Sequence, residues 1–298
     1  MSNLVDDNTC YQNPFPTESE LYIRVAKRPL GWCNVISGEY VSIDKQVAIV
    51  REHAGGGKWL SNVGENYKLI ENRDLFPHVE QHMMSIIAPE HIKHVEVVEH
   101  MSYNGRDCYR EYRFPSLKCE THGEGDVSYR VIVGNSYGGK AVSLLTGAID
   151  FFCSNGMIIG QSEKQARKHT SKLEVTGLDA WLTASVDLFA AHGKRIERYT
   201  HTPIDLTKED ALFDYLVEKG LLSSKRARDA MTGMHRERNI RAGRDNRPTL
   251  WHLYSTLTDW ASHSEVRDTG NDHTANTRIQ RTKHAEQVIK AADEWVNA

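Results

Sequence analysis

The chain has 298 residues, 39% hydrophobic and 26% charged, with a formal net charge of −3. Those values bound a globular protein with a sizeable core, in one large or two ordinary domains, and exclude an indiscriminate polycation. No run of 18 apolar residues occurs, so nothing in the sequence reads as a membrane span.

The first stretch, "MSNLVDDNTCYQNPFPTES", is polar and acidic, with no basic or apolar region of a signal peptide. Five cysteines, widely spread, read as reduced thiols rather than a disulfide framework, which points to a cytoplasmic protein. Residues 1–20 read as a disordered or extended terminus, 21–175 as a β-rich α+β domain, and 176–298 as a helical region packing on it. "KWLSNVGENYKLIENRDLF" carries a Gly-Glu-Asn hairpin turn, with Asn72 or Asp74 offering a helix N-cap. Phe76, Val79, Met83, Met84 and Ile87 then follow a helical spacing. Asn104-Gly105 between two apolar runs signals a β-hairpin. Val127, Tyr129, Val131 and Val133 alternate as one strand face, and two further strands are expected, broken at Gly147 and at Asn155-Gly156.

Helical spacing dominates afterwards. Leu178, Trp181, Leu182, Val186 and Phe189 share a face; Thr207 and Gly220 bracket a short helix as N-cap and C′. Ser223 or Ser224 caps "SKRARDAMTGMHRE", Thr249 caps a stripe ending at Trp260, and a last helix carries Ile279, Val288, Ile289, Ala292 and Trp295. "NIRAGRDNRP" reads as a polar loop between the third and fourth of these helices. The fold class expected is α+β, an antiparallel meander with one helix before it and a helical C-terminal half.

Charge is unevenly spread. Lys164–Arg247 holds 17 Lys and Arg against 12 Asp and Glu, a basic span in an acidic chain. Such a span reads either as a phosphate-contacting surface or as a solvated helix face. "VGNSYGGKAVSLL" gives Gly134-x-x-x-x-Gly139-Lys140, one position short of a phosphate-binding loop, because Ala141 stands where Ser or Thr would hold magnesium. The residues after it favour a strand over the required helix. Asn135, Ser136 and the glycines Gly138 and Gly139 suit a tight turn, so this stretch reads as a structural turn or as a ligand contact. Cys119-x-x-His122 and the His78/His82 pair lack the further ligands of a metal site, and no nucleophile has an evident base. No catalytic constellation, metal or cofactor is expected.

Three stretches together resemble the domain-of-unknown-function 932 proteins, also called phage/plasmid-like proteins. They are "LSNVGENYKLIENRDLF", then "VIVGNSYGGKAVSLLTGAIDFFCSNGMIIG" with Asn135, Ser136, Gly138, Lys140, Asn155 and Gly156, then "PTLWHLYSTLTDWASH". The likeness runs from about Leu60 to Trp260 and implies a phage or plasmid accessory protein of the bacterial host cytoplasm, without an implied chemistry. The order of helix, meander and later helices is also similar in outline to RecT/Redβ/Erf-type single-strand annealing proteins, an analogy of fold. It implies a non-enzymatic protein of DNA metabolism and recombination that binds single-stranded DNA, without ATP hydrolysis, as a homo-oligomer. It further implies a groove between the sheet and the first long helix, lined by Lys140, Lys164, Arg167, Lys168 and Lys172. Arg236, Arg238 and Arg241 extend the basic surface, and Tyr103, Tyr109, Tyr112 and Tyr137 are stacking candidates. Two alternatives stand beside this: a nucleotide-binding enzyme using Gly134–Lys140, and an interaction protein docking a host factor through Arg236–Arg247.

Overall fold

Two antiparallel sheets fill most of the first half of the chain. The computed structural model describes residues 14–53, 56–119, 126–150, 155–159, 166–167, 169, 175–241, 247–267 and 273–298. Strands β1 (Val25–Cys33), β2 (Tyr40–His53) and β3 (Gly56–Gly64) make a three-stranded sheet in that order. Helix α1 (Asn72–Ile86) and the one-turn α2 (Pro89–Ile92) lead into a six-stranded sheet. Its meander is β4 (Glu96–Ser102), β5 (Asp107–Cys119), β6 (Val127–Ser136), β7 (Val142–Asp150) and β8 (Asn155–Ile159). The short β9 (Ala166–Arg167) pairs with the opposite end of β7 from β8. The C-terminal half is helical: α3 (Asp179–His201), α4 (Glu209–Glu218), α5 (Ser224–Arg241), α6 (Leu250–His263) and α7 (Thr274–Val296).

The period-2 pattern of β6 puts Val127, Tyr129, Val131 and Val133 in the main core, all 1% exposed or less. Helices α1 and α3 cover that face: Tyr112 Oη donates to Glu80 Oε1 at 2.9 Å, and Tyr129 packs on Phe189 at 5.2 Å. The opposite face is not left to solvent, as an antiparallel meander allows. Ile132 and Leu145 meet Ile279 of α7 there, so every residue of β6 is buried.

The sheet preceding α1 is a departure from the expected order of elements. The partner of "KWLSNVG" is β2, with Val47 opposite Val63, and not the residues after its Gly-Glu-Asn turn. Those residues carry Tyr67 and Ile70 inward instead, and Tyr67 Oη donates to the Ser136 carbonyl at 2.7 Å. β7 runs through Gly147 without a break. Asn155 and Gly156 lie inside β8, opposite Asp150 and Ile149, so they are strand residues and not the turn. The Asn104-Gly105 hairpin is present, with positive φ at Tyr103, Asn104 and Gly105. The tip of the β1–β2 ribbon projects past β3 with Trp32, Val35, Ile36 and Tyr40 exposed, Val35 by 98%.

Helix ends follow local chemistry. Gly220, at φ +69°, terminates α4 as expected, and Ser223 Oγ accepts from the Arg226 N–H at 3.2 Å as the cap of α5. Thr207 is not a cap; Asp205 accepts its N–H at 2.9 Å. Asn72 is the first residue of α1, and its amide is used elsewhere. α5 extends through Asn239 to Arg241, so 242–248 of the expected loop remain, of which 242–246 lie outside the described residues. Residues 1–13 of the expected loose terminus also lie outside, whereas Phe15 is buried edge-on against Tyr112 at 5.6 Å.

Aromatic edges tie the helical half together, Tyr254 meeting Tyr199 at 6.1 Å and Trp251 at 6.3 Å. Between them Arg195 pairs with Glu286 at 2.6 Å, and Tyr254 Oη donates to the same carboxylate at 2.8 Å. Burial pushes the Glu286 carboxyl above its usual range, so its ionised form depends on this partner. Arg195→Ala is expected to destabilise the fold by about 3 kcal/mol, since it strands a buried carboxylate. Chemical denaturation measures this, and adding Glu286→Gln to Arg195→Ala is expected to recover part of the loss.

Candidate anion-binding site at the start of the last helix

The Asn135-Ser136 turn is built into the core. Asn135 is 2% exposed; its Nδ2 donates to the Ile70 carbonyl at 2.9 Å and to Asn72 Oδ1 at 2.8 Å. The Asn72 amide in turn reaches the Leu21 carbonyl at 3.1 Å. Ser61 Oγ donates to the Tyr137 carbonyl, so residues 135–137 join both sheets and the start of α1. Ser136 Oγ donates to Asp107 Oδ1 at 2.6 Å and accepts from the Gly138 N–H at 3.1 Å, and Gly139 takes φ +84°. β7 follows, not a helix, so the loop has no phosphate-binding geometry.

Asp107 collects this turn. Its carboxylate also accepts from Lys140 Nζ at 2.5 Å and from Asn276 Nδ2 of α7 at 2.9 Å. Burial alone would raise its pKa, but the hydrogen bonds from Lys140, Ser136 and Asn276 outweigh it and hold the carboxyl below its ordinary range. Asn276 Oδ1 accepts from Tyr109 Oη, which locks the first turn of α7 onto β5. Lys140 is thus half exposed but its charge is already paired.

The other expected basic residues do not form one groove among the described residues. Lys164, Lys168 and Lys172 lie outside them; the backbone of Arg167 pairs with Val142, beside the Lys140 turn. Arg236 is exposed on α5, 3.6 Å from Asp259; Arg238 bonds Asn239, and Arg241 ends the helix. The expected groove between sheet and first helix is packed core, since Leu75, Phe76, Val79 and Met83 of α1 are fully buried there. Tyr112 and Tyr137 are fully buried as well, which removes them as stacking platforms.

An open cleft lies instead on the other face of the sheet, where α7 begins. It measures about 480 Å³ and is bounded by β4, β5 and β6 below and by the end of α6 and start of α7 above. Tyr109 and Ile132 give it an apolar floor, Ile279 faces them from α7, and Thr274 and Ala275 bring the first turn of α7 to its rim. The wall is charged. Glu111 Oε1 accepts from Arg113 Nε at 2.7 Å and Arg130 Nη1 at 3.1 Å, and Oε2 lies 3.6 Å from His100. Burial raises the Glu111 carboxyl, but Arg130, then His100 and Arg113, pull it far below its usual range, so it stays ionised.

Cations continue out of the cleft along the helices. Arg278 lines it and is exposed; Arg281, one turn on, lies 5.4 Å from the centre of the Trp260 ring. Arg226 of α5 stacks on the same ring at 4.1 Å, and His284 meets it edge-on at 6.4 Å. No carboxylate lies within ion-pair distance of Arg226, Arg278 or Arg281 among the described residues. Arg281 has its pKa lowered by burial and then by Arg226 and Arg278. Three like charges held together make a surface suited to anions; the Arg226 guanidinium, stacked on the indole, keeps its N–H edge for a ligand, whereas Arg281 donates to the carbonyls of Ser264 and Glu265. Sequence reading counted Arg226 within a basic run but missed Arg278 and Arg281, whose i, i+3 spacing on a helix was the available signal.

The family model "Domain of unknown function (DUF932)" matches residues 59–291, which covers the site and most of the chain; the protein belongs to that family. Neither the curated proteins nor the solved structures gave a match.

The Glu111 pairing has a pH signature. A depressed carboxyl contributes its full stability above the unfolded value and loses it as the pH falls, here below about 4.5. Glu111→Gln is expected to cost about 3 kcal/mol at pH 7 by leaving Arg130 buried without its partner. The gap between the two proteins should narrow steadily below that pH, as read from thermal unfolding across a pH series.

Proposed function

We propose that this DUF932 protein binds single-stranded nucleic acid along the strip from Arg226 through Trp260 and Arg281 to Arg278. The observation that carries this reading is the cluster of three arginines with no carboxylate within ion-pair distance among the described residues, although Asp229 and Asp259 border the groove beside Arg226. Elsewhere this acidic chain pairs its buried cations closely, as in Arg130–Glu111 and Arg195–Glu286. A polyanion supplies the missing counter-charges, and releasing its condensed ions drives binding. The neighbouring cleft, with its aromatic and aliphatic floor, suits an unstacked base, which a single strand presents at no pairing cost.

Fluorescence anisotropy with a labelled single-stranded oligonucleotide at two salt concentrations tests the reading. Binding should weaken steeply with salt. Arg226→Ala and Arg278→Ala should each lower affinity about tenfold and reduce the salt slope by roughly 0.7. No binding at low salt, or binding indifferent to salt, overturns it.

The exposed apolar ribbon supports the further reading that the protein acts as a homo-oligomer. Trp32, Ile36 and Tyr40 stand out from the body on a hairpin, an arrangement that water disfavours unless another surface covers it. Light scattering of the wild type should give more than one chain, and Trp32→Ser with Ile36→Ser should shift the mass to the monomer. A monomeric wild type at micromolar concentration removes this reading.

A further inference from the structure

The cleft over β4, β5 and β6 offers chemistry that a phosphate backbone alone does not use. Its volume of about 480 Å³ lies within the range of small-molecule sites. Arg130 lines it with a side chain 8% exposed, and its buried Nε makes no hydrogen bond. Both arginine contacts to Glu111 fall on Oε1, which leaves Oε2 with only His100 at 3.6 Å. An ionised carboxylate can only accept hydrogen bonds, so this oxygen calls for a ligand N–H or O–H. At the rim, Arg278 and the positive dipole end of α7 call for an anion. Between the two lies the apolar floor of Tyr109 and Ile132, with Ile279 of α7 facing it.

A ligand that satisfies all three has an anion at one end, a hydrogen-bond donor at the other and a flat apolar body between. We propose that the cleft binds one nucleoside monophosphate unit, with its phosphate on Arg278 and the start of α7 and its base on the floor, donating to Glu111 Oε2. The unit comes either from a free nucleotide or from the phosphorylated end of a bound strand. Only the second source rests on the strand-binding reading.

Isothermal titration calorimetry of the full chain with AMP, GMP, ribose 5-phosphate and inorganic phosphate tests this. AMP or GMP should bind at least tenfold more tightly than ribose 5-phosphate, because the base supplies the floor and Glu111 contacts. Arg113→Met, which unsettles the Glu111 wall, and Thr274→Tyr, which fills the rim, should each weaken the nucleotide tenfold or more. Absence of nucleotide binding up to about 10 mM overturns the proposal; so does equal binding of ribose 5-phosphate, or full nucleotide binding in both variants when folded. Competition against a fluorescent nucleotide separates the sources. Displacement by a 5′-phosphorylated but not a 5′-hydroxyl oligonucleotide assigns the strand end, and displacement by neither assigns the free nucleotide, each with the cleft as the site. Nucleotide binding without oligonucleotide binding overturns the strand reading alone, and the reverse overturns the cleft alone.

Discussion

The carboxylate of Asp107 is the constraint on which the site depends. It sits at the start of β5, without solvent, and holds three donors from three places: Ser136 at the end of β6, Lys140 beyond the turn and Asn276 in α7. A buried charge is costly unless its lone pairs are filled, so each donor is fixed by the others. The consequence reaches beyond the turn. Asn276 is two residues before Arg278, and the same amide accepts from Tyr109 in the cleft floor. The register of α7 over the sheet, and with it the position of the rim arginine, is set by one aspartate on the strand below.

That linkage explains why the turn looks like a phosphate loop and does not act as one. Its glycines serve backbone geometry, Gly139 in the left-handed region and Gly138 lying against Arg106, where an added Cβ would come within 2.8 Å of that side chain. Lys140 has the lysine position of a nucleotide site but spends its charge on Asp107, over the ring of Tyr103 at 5.6 Å. Asn135 and Tyr137 point the other way, into the junction between the two sheets. A stretch that joins β6, β7, α1, β3 and α7 has little freedom left to reshape around a ligand.

Local signals in the sequence were enough for an antiparallel meander, the Asn104-Gly105 hairpin and the helices, because strand alternation, turn residues and apolar stripes are local, but not for β9 or for the unbroken run of β7 through Gly147. The three-stranded sheet was not legible. Its distal half is exposed on both faces, so Trp32 of β1 and Tyr40, Val41 and Ile43 of β2 all meet solvent instead of giving the alternation that marks a half-buried strand. The placement of the cleft was hidden for a different reason. Glu111, Arg113 and Arg130 read as ordinary polar positions on strands with one wet face. They became a buried charged wall only because α6 and α7 return, more than a hundred residues later, to cover that face. Arg278 and Arg281 likewise gain meaning only from Trp260 and Arg226 on two other helices.

The two halves of the site therefore obey opposite rules, and the contrast argues for a common purpose. On the sheet, each of these cations meets an anion: Arg130 and Arg113 share Glu111, and the half-exposed Lys140 has Asp107. On the helices above, Arg226, Arg278 and Arg281 crowd one another, and burial with mutual repulsion lowers the pKa of Arg281. Simple stability would have favoured a carboxylate among them, as Asp293 serves Arg198 farther along α7. The repulsion is a cost to the free protein that a bound anion would relieve. Arg281 also donates to the carbonyls of Ser264 and Glu265, so it anchors the end of α6 to α7 while facing that repulsion. An anion arriving at this corner would then both neutralise the cluster and tighten the helix pair that roofs the cleft, coupling the strip to the pocket through one arginine.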